Sequence, residues 1–286
     1  MILIADSGST KCDWVYCKSN GDIIDKYKTE GINPNFISKK ELLSLLTNSR
    51  LTSIKEKVKN LYFFGAGCSN NYNKKKLNTG LCSFFLDAEV LVKHDLEAAA
   101  YATYNNKPCI TCILGTGSNT CFFDGTKLRQ ETPSLGFLLG DEASGNYFGK
   151  KILQSFYYKS LPEILKKEFI QYFNTNSNEL LLNLYKSNKP NFYLASFFPF
   201  IIKNKKHKFI NNIILKGINL FFENHIKKYD NYTSVPINFV GSVAFYLKDE
   251  IKEVGKKHHC NINSFIQSPI KNLVKFITNE ANTTFL

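Results

Sequence analysis

The sequence predicts an α/β fold built from two related lobes, each beginning with a β-hairpin whose turn is rich in glycine, serine and threonine. The first hairpin follows from an apolar run at residues 2–5, a polar turn at 6–9 and alternating apolar residues after it. The same order recurs at residues 109–114, with a turn at 115–120. Backbone N–H groups in such turns can bind phosphate oxygens. The repeat therefore indicates an internal duplication, with one hairpin in each lobe and a nucleotide between the lobes.

Composition narrows the class of protein. The 286 residues are 43% hydrophobic, which allows one large domain or two ordinary ones. The net charge of +13 comes mainly from lysines that are scattered among asparagines, without a nucleic-acid-binding motif, so no nucleic-acid partner is expected. No apolar stretch is long enough to span a bilayer and no basic segment precedes the first strand, so we expect a cytoplasmic protein without a membrane partner.

The cysteines and histidines do not predict a metal site. The 8 cysteines are expected to be reduced, and Cys109 and Cys112 should lie on opposite faces of a strand as buried core thiols. The 5 histidines have no metal-ligand spacing and are expected to be solvated.

The first lobe continues with a third strand at residues 23–29 and a polar loop at 30–35. Ser38 and Glu41 have the spacing of a capping box and predict a helix over 39–47. A second helix is predicted over 51–59.

Two further strands are predicted in this lobe. The strand at 61–64 ends in Gly65-Ala66-Gly67, where the backbone should pass close to another group. A helix over 77–85 and a strand over 88–92 lead to Asp95, which opens a helix over 96–104. Ligands bind at the carboxyl ends of strands in open α/β sheets. Asp95 is therefore either a helix N-cap or a catalytic base.

The second lobe carries fewer chemical signals. Asp141 and Glu142 either cap the helix predicted over 146–156 or hold a ligand hydroxyl. Helical periodicity then extends to about residue 229, and a strand over 236–240 ends in a glycine turn that could face an adenine ring.

In the first turn, Asp6 could hold Mg²⁺ through water. An ordinary hairpin with a polar turn remains the alternative for that segment.

Together these segments resemble a known family. They are ADSGSTKCDW, EGINPN, HDLEAAAYAT, ILGTGSNTCFFDG, GFLLGDEASG, FVGSVAFYL and IQSPIKNLVKF. The set is similar to BadF/BadG/BcrA/BcrD-type ATPases, and within them to the N-acetylglucosamine kinase-like branch of the actin/hexokinase superfamily. The resemblance covers nearly the whole chain and is weakest over 161–208. It implies two ribonuclease-H-like lobes, at 1–108 and 109–286, with a nucleotide cleft between them and the last helix packing back on the first lobe.

The resemblance also implies an activity and its residues. The chain would be an ATP- and Mg²⁺-dependent phosphotransferase with an alcohol acceptor, phosphorylating N-acetylglucosamine or a related amino sugar at its 6-hydroxyl, with Asp95 as general base. The implied ATP-binding residues are Asp6, Ser7, Gly8, Ser9, Thr10, Lys11, Thr116, Gly117, Gly241 and Ser242, with Asp6 also holding Mg²⁺ through water. The implied sugar-binding residues are Asn33, Asp95, Ser118, Asn119, Gly140 and Asp141. A homodimer is implied as well.

Two alternatives remain at this point. The same family includes ATPase activators of acyl-CoA dehydratases and reductases, whose Gly-x-Cys-Gly-Pro cluster segment is absent from this sequence. A non-catalytic sugar-sensing protein on the same fold is the other. The sugar itself stays open among N-acetylglucosamine, N-acetylmuramic acid, glucosamine and glucose, because sugar choice depends on pocket shape.

Overall fold

The computed structural model describes residues 1–8, 10–174 and 177–279. The strands are β1 (Ile2–Ser7), β2 (Lys11–Cys17), β3 (Ile23–Glu30), β4 (Asn60–Gly65), β5 (Glu89–His94), β6 (Cys109–Leu114), β7 (Ser118–Phe123), β8 (Leu128–Arg129), β9 (Pro236–Val240) and β10 (Asn261–Ile266). The helices are α1 (Lys39–Thr47), α2 (Asn71–Cys82), α3 (Asp95–Thr103), α4 (Gly136–Leu139), α5 (Gly145–Tyr157), α6 (Glu163–Phe173), α7 (Ser177–Lys186), α8 (Pro190–Ala195), α9 (Phe198–Lys203), α10 (Lys208–Asn224), α11 (Ser242–Tyr246), α12 (Lys248–Lys257) and α13 (Ile270–Ile277). Short 3-10 helices lie at Arg50–Ser53 and Ile226–Lys228.

The strands form two five-stranded mixed sheets of the same topology. Their orders are β3-β2-β1-β4-β5 and β8-β7-β6-β9-β10. In the first sheet β1 is antiparallel to β2 and parallel to β4, and in the second β6 is antiparallel to β7 and parallel to β9. This correspondence confirms the predicted α/β fold with a hairpin at the start of each half.

The chain divides into two compact units. The first unit contains residues 1–107, 124–128 and the described part of the C-terminal segment, and the second contains 108–123 and 129–267. Helix α13 therefore belongs to the first unit, where the Phe276 ring stacks on Tyr101 with centroids 4.5 Å apart. Asn272 Nδ2 also donates a hydrogen bond to the Ala102 carbonyl at 2.9 Å.

Each unit has its own aromatic core. In the first, the fully buried Trp14 packs edge-on against Phe63, and its indole N–H donates to Thr29 Oγ1 at 3.0 Å. In the second, Phe169 packs against the rings of Phe156 in α5, Phe197 just before α9 and Phe200 in α9. Cys109 and Cys112 are both buried in β6, as predicted.

Local signals predict some element boundaries and miss others. Helix α1 begins at the predicted capping box, with hydrogen bonds in both directions between Ser38 and Glu41. The helix predicted over 51–59 is wrong, because only a 3-10 turn forms there. The hydroxyls of Thr52 and Ser53 donate to backbone carbonyls behind them, which competes with a regular helix.

The two elements that follow also differ from their predicted limits. Helix α2 begins six residues before the predicted start at 77, after an Asn70 cap. Strand β5 reaches His94, so Asp95 is the first residue of α3. Within the described residues no helix combines the length and the apolar character that crossing a bilayer requires.

Candidate functional site

The turn between β1 and β2 lies at the carboxyl end of the first central strand. Asp6 pairs in register with Asp13 across the hairpin, and Lys11 Nζ binds the Asp13 carboxylate at 2.8 Å. Around a Cβ added to Gly8, the nearest atom is the Lys11 carbonyl oxygen at 3.8 Å, so the turn stays open on that side. Ser9, predicted to bind phosphate, lies outside the described residues.

Asp6 is the most strongly perturbed carboxylate of this turn. Burial, together with the nearby carboxylates of Asp95 and Asp13, raises the pKa of Asp6 to about 7, and Lys11 opposes the shift only in part. A cation beside these carboxylates would relieve their repulsion, so the donor set fits Mg²⁺. Within the described ranges, however, no group of three or more His, Cys, Asp or Glu side chains could hold a metal by itself. Water and phosphate oxygens would have to complete the shell.

Asp95 opens α3 without capping it. His94 is the N-cap: its Nδ1 accepts the Leu96 N–H at 3.4 Å, and Glu97 Oε2 accepts the His94 N–H at 2.8 Å. The N-cap alternative for Asp95 is therefore wrong. Asp95 Oδ1 is buried and accepts no hydrogen bond from any described residue. His94 Nε2 lies 3.1 Å from it without the alignment of a hydrogen bond.

The polar loop that carries Asn33 packs against the end of β4. Gly67 has a φ of +81°, and a Cβ there would collide with Asn33 Oδ1, which explains the glycine at the predicted close approach. Asn33 Oδ1 accepts the Asn35 N–H at 3.0 Å. Asn73 of α2 donates to both Asn35 Oδ1 and the Gly67 carbonyl at 2.8 Å. Helix α2 therefore holds this loop in place through contacts that were not predicted from the sequence.

The same loop is tied to the first turn through Ser7. The Ser7 hydroxyl is fully buried, accepts the Ile32 N–H at 2.8 Å and lies 3.1 Å from the Ile32 carbonyl, to which it can donate. In addition, the Gly31 N–H donates to the Thr10 carbonyl at 3.1 Å. The Ser7 side chain is therefore engaged with the backbone of its own unit.

In the second unit the glycine turn after β6 is held by the start of α5. The Gly145 N–H donates to the Gly115 carbonyl at 2.8 Å, and the Asn146 N–H donates to the Thr116 carbonyl at 3.1 Å. Gly241, with φ +115°, packs directly on the Leu114 carbonyl, where a Cβ would collide. The structure therefore brings the predicted Thr116, Gly117, Gly241 and Ser242 together at the carboxyl ends of β6 and β9.

Asp141 fixes this second turn from the side. It is buried with φ +60°, Oδ1 accepts the Ser118 N–H at 3.1 Å, and Oδ2 accepts Asn146 Nδ2 at 2.6 Å. Burial raises the pKa of Asp141, and these hydrogen bonds oppose the shift. A Cβ on Gly117 would lie 2.9 Å from Oδ2, so the turn approaches the carboxylate closely.

The remaining predicted sugar-site residues lie around this carboxylate. Gly140 directly precedes it and is buried. Asn119 Oδ1 accepts Gln130 Nε2 at 2.8 Å. The Ser118 hydroxyl is buried and has no hydrogen-bond partner among the described residues.

A partly buried hydrogen-bond network beside Asp141 was not predicted from the sequence. Glu142 Oε2 lies 3.2 Å from His225 Nε2, Glu142 Oε1 accepts Asn224 Nδ2 at 2.8 Å, and His225 Nδ1 lies 2.9 Å from Thr132 Oγ1. The hydrogen bond with His225 lowers the pKa of Glu142 to about 2. His225 is only 7% exposed, so the expectation that every histidine is solvated is wrong.

Known structures resemble the chain over nearly its whole length. A Porphyromonas gingivalis protein provisionally assigned as an N-acetylglucosamine kinase is 32% identical, with 98% of this chain and 100% of that chain covered and a TM-score of 0.92. A Chromobacterium violaceum protein with the same provisional assignment is 13% identical over 96% of this chain and 98% of its own, with a TM-score of 0.72. A Streptomyces griseus ROK-family glucokinase, solved with glucose and AMPPNP, is 15% identical over 96% and 97%, with a TM-score of 0.60. At these lower identities the last two show the fold alone. No protein-family model and no curated protein matches the chain.

Proposed function

Because the chain belongs to the N-acetylglucosamine kinase-like family of the actin/hexokinase superfamily, we propose that it transfers the γ-phosphoryl group of ATP to the 6-hydroxyl of N-acetylglucosamine or a related amino sugar. The observation that carries this proposal is the buried Oδ1 of Asp95, which accepts no hydrogen bond from the described residues and lies at the carboxyl end of β5, within electrostatic reach of Asp6. A carboxylate oxygen whose hydrogen-bonding capacity is not used by the protein can accept a proton from a substrate hydroxyl.

In the proposed reaction Asp95 acts as general base. It accepts the proton of the sugar hydroxyl while that oxygen bonds to the γ-phosphorus and the bond from the γ-phosphorus to the bridging oxygen breaks, releasing ADP. Such transfers depend mainly on positioning and charge stabilisation. His94, rather than Asp95, satisfies the start of α3, which leaves the Asp95 carboxylate available for this role.

The glycine turns would bind the phosphates. In the first unit these are the backbone and side-chain donors of Gly8, Thr10 and Lys11, to which we add Ser9 from the family resemblance. In the second unit they are Thr116 and Gly117, with Gly241 and Ser242 beside them for the adenosine. Mg²⁺ neutralises phosphate charge in reactions of this type, and Asp6 would hold it through water.

The sugar-binding residues that the family resemblance implies are proposed here as well. Asn33 and Asp95 serve in the first unit, and Ser118, Asn119, Gly140 and Asp141 serve in the second. Each carboxylate oxygen of Asp141 accepts one hydrogen bond and has a second lone pair, so it can accept a sugar hydroxyl as well. The family resemblance also leads us to propose a homodimer, which light scattering after gel filtration would test.

A panel of sugars with ATP and Mg²⁺, followed by ADP release, tests the proposed function. We expect ADP only in the presence of an acceptor, with N-acetylglucosamine the best of a set including N-acetylmuramic acid, glucosamine and glucose. The phosphate position on the product is read by NMR. Hydrolysis of ATP without sugar, with iron in anaerobically purified protein, would indicate an activator instead. Sugar binding without turnover would indicate a sensor.

A further inference from the structure

Ser7 lies in the first phosphate turn, yet its hydroxyl has both a donor and an acceptor close by in the protein backbone. It accepts the Ile32 N–H at 2.8 Å and lies 3.1 Å from the Ile32 carbonyl. The Gly8 carbonyl, at 3.2 Å, is a second acceptor within reach of the same proton. Ser7 and Ile32 both have 0% exposure. A hydroxyl enclosed in this way has no open direction toward a phosphate.

The residue after Ile32 is Asn33, which is proposed to hold the sugar. On its far side the loop is fixed by α2, because Asn73 Nδ2 donates to Asn35 Oδ1 at 2.8 Å and Lys76 Nζ donates to the Pro34 carbonyl. On its near side the loop is attached by the Ser7–Ile32 hydrogen bonds and by the hydrogen bond from the Gly31 N–H to the Thr10 carbonyl. Ser7 supplies the side-chain part of that attachment.

We propose that Ser7 is a positioning residue for the sugar loop rather than a phosphate ligand. It fixes Ile32, and through Ile32 it sets the position of Asn33 relative to the first turn. This inference rests on the proposed kinase function and reassigns one residue that the family resemblance implies as an ATP ligand. It also links the two substrates physically, because the strand end that begins the phosphate turn holds the backbone of the sugar loop.

The substitution Ser7→Ala separates the two roles. It would leave the Ile32 N–H unpaired in a buried position, so the loop would shift to find another partner. We expect the KM for the sugar to rise by about tenfold, as the loss of a buried hydrogen bond of ordinary strength predicts. The KM for ATP should stay within about twofold, because no phosphate contact is lost.

Ser49 offers a matched control. Its hydroxyl also donates to a backbone carbonyl, that of Leu46 at 2.7 Å, and accepts a backbone N–H, that of Leu51 at 3.2 Å. It lies in the same unit, where it caps the 3-10 helix Arg50–Ser53. Ser49→Ala should lower the melting temperature without changing either KM. Comparing Ser7→Ala with Ser49→Ala therefore separates the specific effect on sugar binding from the general loss of stability when a serine that bridges backbone groups is removed.

The test is steady-state kinetics with varied sugar and varied ATP, together with calorimetric titration of the sugar without nucleotide. A weaker sugar affinity in Ser7→Ala, with ATP KM and Ser49→Ala unchanged, supports the inference. A rise in ATP KM with sugar KM unchanged would identify Ser7 as a phosphate ligand and overturn it. If Ser7→Ala does not fold, Ser7→Cys places a larger thiol with a weaker hydrogen bond at the same position, and a sugar KM equal to that of the wild type would also overturn it. Absence of sugar-dependent ADP release in the wild-type protein would instead refute the proposed function.

Discussion

A carboxylate at the start of a helix has two ordinary uses, and the contacts around Asp95 distinguish them. A capping carboxylate accepts backbone N–H groups of the first turn. Here His94 and Glu97 do so, and Asp95 Oδ1 accepts no described hydrogen bond. A buried acceptor is usually paired unless it has a functional reason to remain unpaired.

The residue-scale prediction for Asp95 follows from this arrangement. Asp95→Asn keeps the size of the side chain but cannot accept a proton, so turnover should fall by about 10²–10⁴-fold. Sugar affinity should change far less, because an amide still contacts the hydroxyl. Steady-state turnover within about threefold of the wild type, well below that general-base range, would remove Asp95 from the mechanism.

Glu97→Gln is the control for Asp95→Asn. It removes a carboxylate charge from the same helical turn while leaving an oxygen that can accept the His94 N–H. Because Glu97 serves the cap and the lysines Lys74 and Lys93, its loss should affect melting temperature more than turnover. A loss of turnover as large as that of Asp95→Asn would indicate a general electrostatic effect.

Asp6 predicts a pH dependence of stability. Its pKa rises from the ordinary 3.8 to about 7, so the folded protein holds a proton that the unfolded chain releases above pH 4. The free energy of unfolding should therefore fall between about pH 4 and pH 7 and level off above that range. Asp6→Asn cannot titrate at this position, so its free energy of unfolding should not show this fall. Relative to the wild type, the free energy of unfolding of Asp6→Asn should therefore rise by about 2–4 kcal/mol between pH 4 and pH 8.

Urea denaturation at several pH values measures that difference. Asp87→Asn is the control, since Asp87 lies in an exposed pair with Lys59, and its difference from the wild type should stay flat over the same range. Mg²⁺ should also stabilise the wild type more than Asp6→Asn at pH 8. Parallel stability curves for Asp6→Asn and the wild type would show that Asp6 carries no excess proton.

At the scale of elements, helix caps formed by residues close in sequence could be predicted. Hydrogen bonds between residues far apart in sequence could not. The Ser38–Glu41 box fixed the start of α1 because both partners lie within one helical turn. The same spacing in His94 and Glu97 is a usable sequence signal for the start of α3. By contrast, Glu142 and His225 are 83 residues apart and meet only in the folded chain. The supports of the candidate site are mostly of this second kind, as Ser7–Ile32 also illustrates.

The Glu142–His225 network predicts how the segment bearing Asp141 is stabilised. The pKa of Glu142 falls from 4.5 to about 2, so its contribution to stability is complete above about pH 5 and is lost as pH falls toward 2. Glu142→Gln should lower the free energy of unfolding by about 1–2 kcal/mol at pH 7, and this difference from the wild type should shrink below pH 4.

Thermal or urea unfolding at pH 7 and pH 3 measures this effect. Glu223→Gln is the matched control, because the Glu223 side chain is 41% exposed, with Lys227 at 2.9 Å and His258 at 3.7 Å. We expect Glu223→Gln to change the free energy of unfolding very little at neutral pH. An equal cost for Glu142→Gln at both pH values would mean that its ionisation is not what stabilises the network.

At the scale of the whole molecule, the two sheets share one topology but the chain does not divide at a single point. The first unit is completed by α13. This helix begins more than 140 residues after 124–128, which is the segment of the first unit that comes before it in the chain. On α13, Leu273, Val274, Phe276 and Ile277 are buried. The 108/109 boundary predicted from the sequence marks the start of the second hairpin, and we expect the stability of the first unit to depend on α13 as well.

The last prediction tests that dependence. Phe276 is 6% exposed and stacks on Tyr101 of α3 at 4.5 Å, so Phe276→Ala should leave a cavity and cost the first unit about 3–5 kcal/mol. Hydrogen exchange should then show weaker protection in β1, β2 and α3, although the substitution lies near the C-terminus, and little change in β6 and β9. Phe222→Ala is the matched control, because Phe222 is fully buried in the second unit and stacks on Phe239 of β9. It should weaken protection in β6 and β9 and spare β1. If both variants loosen both sheets equally, the chain unfolds as one cooperative body and the two units do not have separate stabilities.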